Sequence, residues 1–195
     1  MNLAVAALGA LVAMTAPAAA DTAYQPKKDR ERAGKSTTHP APRPIGTRPA
    51  KLINLHNRWT HDWLAVDPLH PPGVAEVDMF LRDHFTNEPT HMEPKLIPTV
   101  VAAAKQFKID VVDVISGFRH PKYNLMLRKK GHQVARDSQH THGNAVDFTF
   151  PGMSVDQLHR LQAWVKAQRL GGVGIYPSSK FVHMDTGPVR FWSGD

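Results

Sequence analysis

Two short segments constrain the fold of this chain more than any other: Ser138 to Asp147 and Phe181 to Asp185. Successive side chains of an extended strand point to opposite faces. Along the second segment, His183 and Asp185 therefore share one face, and Val182 and Met184 share the other. Asp147 and Thr149 likewise share a face, with Val146 and Phe148 opposite. If the two strands are neighbours, their polar faces converge on one side of a sheet, and their apolar faces pack on helices. His140 sits in the turn before Asp147, and Gly143 lets that turn bend back.

The side chains gathered in this way suit a metal ion. The chain has no cysteine, and imidazole with carboxylate is the donor set that zinc takes when thiolate is absent. A catalytic zinc needs three protein ligands and an open fourth position. Asp147 and His183 supply two. The third is His140 or His142: they lie two residues apart, so a strand-like segment puts both on one face, and the residues alone leave the choice open. Asp185 is left to move a proton or to orient an imidazole.

The N-terminal quarter reads differently. Residues 1–20 carry no charged side chain, have an apolar core from Leu3 to Met14, and end in Ala18-Ala19-Ala20. That pattern predicts a cleaved signal peptide, too short to stay as a membrane anchor. Residues 21–50 hold five prolines and seven Lys or Arg, with almost no large apolar side chain. Such a stretch buries too little surface to offset its ordering entropy and reads as a basic, disordered linker. The folded domain is expected over 51–195. Export would make the mature protein soluble and periplasmic, with no integral membrane segment and neither disulfides nor a lipidated cysteine. The formal charge of +7 suits a polyanion, either nucleic acid or an anionic cell-envelope polymer. The basic residues are dispersed and the signal peptide argues against nucleic acid, so the envelope polymer is preferred.

Within the domain, Leu52–Leu55 and Asp62–Val66 predict a hairpin, and Val74–Phe85 and Leu96–Phe107 predict helices from their apolar period. Val111–Ile115 predicts a strand running into Ser116-Gly117-Phe118-Arg119. Pro121–Lys130 predicts a short helix closed by Gly131. Asn144–Phe150 predicts a strand and Val155–Leu170 an amphipathic helix. Gly172–Tyr176 and Phe181–Thr186 predict a second hairpin. Helices come first, then strands with one helix between them. This order favours an α+β fold, with a small antiparallel sheet carrying the metal site.

The run Ser138-x-His140-x-x-Gly143-x-Ala145-x-Asp147 resembles the signature of the LAS metallopeptidase superfamily, named for lysostaphin, D-Ala-D-Ala metallopeptidases and sonic hedgehog. Further features narrow the resemblance to the MepK (YcbK-like) murein endopeptidase branch. They are Ser116-Gly117-Phe118-Arg119 with Asn124 five residues on, Gly171-Gly172-Val173-Gly174-Ile175-Tyr176-Pro177, and the run from Phe181 to Trp192. Together they cover residues 112–192, with a weaker match back to 51. The resemblance implies a hedgehog or D-Ala-D-Ala peptidase-like fold and a zinc peptidase acting on peptidoglycan stem peptides. It makes His140, Asp147 and His183 the Zn2+ ligands and puts Arg119 at the site. Several relatives carry an acidic residue three positions before the last zinc histidine. Here that position is Lys180, which as a cation cannot take a proton. Asp185 is therefore expected as the general base, with His142 second and a purely orienting role for Asp185 as the alternative.

The expected reaction is metal-assisted amide hydrolysis in stem peptides or cross-links, with Arg119 facing the developing oxyanion or a substrate carboxylate. Two neighbouring readings use the same fold: a non-catalytic zinc-containing peptidoglycan-binding module, and a D,D- or L,D-carboxypeptidase. The sequence identifies no envelope adaptor protein.

Overall fold

The computed structural model describes residues 52–67, 69–132 and 134–194. The segments read as signal peptide and basic linker lie outside the described residues.

Seven strands form one sheet: β1 (Ile53–Asn57), β2 (Trp63–Val66), β3 (Val111–Ser116), β4 (Ala145–Thr149), β5 (Gly172–Tyr176), β6 (Phe181–Asp185) and β7 (Arg190–Ser193). Their order across the sheet is β2-β1-β3-β4-β6-β5-β7. The α+β class stands, but the sheet is larger than expected and mixed. β1 runs parallel to β3, and β5 runs parallel to β7, while the four central strands β3, β4, β6 and β5 are antiparallel to one another. The β1–β3 pairing is parallel because the chain between them crosses over through two helices, α1 (Val74–Phe80) and α2 (Leu96–Gln106). Two helices follow β3 and β4: α3 (Pro121–Lys129) and α4 (Val155–Ala167).

The strand alternation builds the core. Val112, Val114, Val146, Phe148, Val182 and Met184 are fully buried and join one apolar cluster with Leu96, Val100 and Ala104 of α2 and Leu158 and Leu161 of α4. α4 starts from a capping box in which Ser154 and Gln157 satisfy each other's backbone N–H groups.

α1 is shorter than its apolar period suggests, ending at Phe80 rather than Phe85. Beyond it the chain is organised by Asp83, which is fully buried. Its carboxylate accepts from the amides of Phe85 (2.8 Å), Thr86 (2.6 Å) and His120 (2.9 Å). A buried carboxylate satisfied by three amides fixes a turn where the pattern suggested helix. β7 has no counterpart among the predicted strands. It is four residues long and mostly exposed, so its alternation is too short to read.

Candidate active site

The site lies on the polar face of β4 and β6. Asp147 of β4 stands directly opposite His183 of β6, and both are buried. His140 is carried by a single turn of 3-10 helix, Gln139–His142, that ends in Gly143. Gly143 has a φ of +73°, and a side chain there would run into the carbonyl oxygen of His91. The turn closes only with glycine.

The imidazole partners fix what each ring nitrogen can offer. His140 Nδ1 donates to the carbonyl oxygen of Gly117 at 2.7 Å. A carbonyl only accepts, so the proton is on Nδ1, and Nε2 faces inward with a lone pair. His183 Nε2 donates to Asp185 Oδ2 at 2.8 Å, which turns Nδ1 inward. The two inward nitrogens are 3.1 Å apart. Asp147 completes the cluster, with Oδ1 2.8 Å from His183 Nδ1 and Oδ2 3.2 Å from His140 Nε2. The three groups can each bring one donor atom within 4.8 Å of the others. Three acceptors converge here, so a cation must occupy the space between them: a metal ion or, without one, a proton. The donor chemistry fits a metal of the zinc type.

The charge states agree. Burial works against the imidazolium of His183, but hydrogen bonds to Asp147 and Asp185 and the charges of both lift its pKa to about 9. Burial pushes His140 down, against the pull of Asp147. Asp147 is held well below the usual carboxylate range: burial opposes this, but the two histidines outweigh it.

Asp185, expected as the base, stands behind His183 and is fully buried. Its oxygens accept from His183, from the amides of Gly172 (3.0 Å) and Gly187 (2.9 Å), and from both terminal nitrogens of Arg190 (2.8 and 3.2 Å). Burial would raise its pKa, but these donors hold it well below the usual range. The Arg190 guanidinium also lies over Trp192, 5.0 Å from the ring centre. Trp192 in turn sits 5.1 Å from the His183 ring and donates from Nε1 to the Tyr176 hydroxyl at 3.1 Å. Both side chains pass over β5, where Gly172 and Gly174 leave room: a Cβ on Gly174 would meet the indole at 2.5 Å. Sequence reading gave Arg190 and Trp192 no role. Glycines at alternate positions of a strand are the signal that pointed to them, because such glycines mark a close approach by another group.

His140, Asp147 and His183 open into a groove of about 440 Å³, walled in part by Arg119, Tyr176, Arg190 and Trp192. Arg119 is tied in through its backbone N–H, which donates to the carbonyl of His140 at 3.0 Å. Its guanidinium points towards Asn124 Oδ1 at 3.5 Å. Asn124 is buried and donates to the carbonyl of Ala135 at 3.0 Å, fixing one bank of the groove. His142 is half-exposed and pairs with Asp137 at 2.5 Å, outside the cluster. Lys180 is exposed in the β5–β6 turn. A second groove of about 350 Å³, between α1 and α2, carries none of these residues.

Residues 44–192 match the peptidase M15 family described as peptidoglycan L,D-endopeptidase MepK. The chain belongs to that family. Among curated proteins it is similar to the probable peptidoglycan L,D-endopeptidase MepK of Haemophilus influenzae, with 33% identity over 73% of this chain and 76% of the relative. It is also similar to the peptidoglycan L,D-endopeptidase MepK of Escherichia coli, with 31% identity over 78% of this chain and 86% of the relative. No solved structure gave a significant match. MepK-family proteins are metallopeptidases, and the α+β fold and the His/Asp cluster are what such a peptidase requires.

Proposed function

We propose that this protein is a zinc-dependent peptidoglycan endopeptidase of the periplasm, hydrolysing an L,D amide bond of murein stem peptides or cross-links. The observation that carries the reading is the convergence of His140 Nε2, His183 Nδ1 and the Asp147 carboxylate at the floor of a groove with Arg119 on its wall. The names of the MepK relatives support the substrate and the stereochemistry of the bond. Periplasmic location is supported by the N-terminal sequence. Among the described residues no helix is long and apolar enough to cross a membrane.

His140, Asp147 and His183 hold the metal. Bound zinc supplies Lewis acidity, enough to polarise a carbonyl and acidify water. Arg119 offers a fixed cation to the developing oxyanion or to a carboxylate of the stem peptide. Asp185 orients His183 rather than taking a proton from water, because His183, Arg190 and the amides of Gly172 and Gly187 already occupy both of its oxygens. Arg190 holds Asp185, and Trp192 excludes water from one side of the imidazole.

The test is digestion of purified cross-linked peptidoglycan with and without a chelator, read by mass spectrometry of the released fragments. Chelator-sensitive products with the masses of L,D cleavage are expected. A folded protein that holds one zinc and releases nothing would favour a non-catalytic peptidoglycan-binding module. Loss of terminal residues alone would favour a carboxypeptidase.

A further inference from the structure

Beside the Arg119 end of the groove, four ring side chains from three parts of the chain assemble into a shelf. Trp59, in the β1–β2 turn, stacks on His84 with ring centres 4.5 Å apart and planes 11° apart. His84 meets Tyr123 of α3 edge-on at 4.9 Å. Phe85 stacks on the same Tyr123 ring at 5.2 Å and 11°. Trp59 and Phe85 are nonetheless 46% and 52% exposed. Large aromatics left in water together are a marker of a binding surface.

Buried polar residues build the turns that hold them there. The Asn57 side chain, 4% exposed, accepts from the amide of Trp59 at 3.0 Å and donates to the carbonyl of Phe80 at 2.9 Å. Asp83 accepts from the amide of Phe85 at 2.8 Å. The same carboxylate accepts from the amide of His120, next to Arg119. The phenol of Tyr123, raised in pKa chiefly by burial, is pulled back by the charge of Arg119. Asp83 therefore ties the Phe85 turn to the segment that carries Arg119 into the wall of the groove.

Flat rings with polar neighbours suit a saccharide. A pyranose presents a face of C–H bonds to an aromatic ring, while its hydroxyl and amide substituents reach polar groups at the rim. Here Arg58, exposed next to Trp59, and Glu88, three residues after Phe85 and paired with His120 at 3.3 Å, supply polar groups beside the rings. If the proposed function is right, on which this inference rests, the substrate is a stem peptide attached to a glycan strand. Such a substrate must leave the groove towards sugar. We infer that Trp59 and Phe85, tied to the groove wall through Asp83 and the His120 amide next to Arg119, form a saccharide-binding shelf for the glycan strand of peptidoglycan.

Binding of peptide-free glycan strands to the full chain tests this independently of catalysis. The wild type is expected to bind them, and Trp59→Ala and Phe85→Ala, both folded by circular dichroism and loaded with metal, are each expected to bind about tenfold more weakly. In cleavage assays the preference of the wild type for glycan-bearing over sugar-stripped cross-linked peptides is expected to shrink in both variants, through KM. A wild type that ignores peptide-free glycan, or variants that bind it equally well, overturns the shelf whatever the protein cleaves. Failure to cleave any substrate while still binding glycan would instead overturn the endopeptidase reading alone.

Discussion

Asp185→Asn separates the two roles open to that residue. The Oδ1 position accepts from the amides of Gly172 and Gly187, and the Oδ2 position faces His183 Nε2 and Arg190. Asparagine can keep its oxygen towards the two amides only by turning its NH2 towards His183. An amide NH2 only donates, so it opposes the Nε2–H and favours the tautomer protonated at Nδ1. That proton then lies where the lone pair for the metal was. Losing the partner that orients a ligating imidazole costs about 10–100-fold in metal affinity, or roughly 1.4–2.8 kcal/mol. Competition with a fluorescent zinc chelator would measure it, and excess zinc should restore most of the turnover. The reasoning is refuted if the variant binds zinc within about twofold of the wild type yet stays inactive at saturating zinc. Asp185 would then handle a proton in the reaction itself.

Further outcomes follow from the same geometry. His140→Ala, Asp147→Ala and His183→Ala should each abolish zinc retention, measured by metal analysis after dialysis, whereas His142→Ala should keep one zinc. In the metal-free protein His183 has its pKa raised to about 9. The stability it contributes is full below its unfolded pKa of ~6.5 and is lost as the pH rises through the folded value. The melting temperature of the chelator-treated protein should therefore fall between these limits, and the zinc-loaded protein should show much less of this fall. Gly143→Ala should cost more than about 1 kcal/mol of unfolding free energy in denaturant titrations, because a positive φ and the His91 carbonyl both oppose a Cβ.

The alternation of β4 and β6 made the polar face of the sheet legible, because period-two patterning is strong where one face is fully apolar. The His140–His142 choice was not legible from spacing. It depends on a 3-10 turn, in which residues two apart no longer share a face, and on the Gly117 carbonyl, which lies far away in sequence. Leu81 shows the opposite failure. It fits the helical period of α1 because it is buried, but its carbonyl accepts from the amide of Phe118 at 2.7 Å instead of continuing the helix. Burial and helical period coincide there by accident of tertiary packing. Asp185 was read as a spare carboxylate because its donors come from β5 and from Arg190, and a strand pattern carries no information about what crosses behind it.

The direct pairing of Asp147 with His183 across β4 and β6 has a consequence for folding. The two strands are separated by α4 and β5, so their alignment is decided late and over a long loop. A slip of one residue would carry His183 to the apolar face and put Val182 or Met184 among the donors. Only the native alignment both sets Asp147 opposite His183 and buries Val182 and Met184. The ion would then act as a check on strand alignment, binding tightly only to chains that have paired correctly. Chains caught in a slipped register would remain metal-free and inactive, so zinc content would report correctly folded protein as well as active protein.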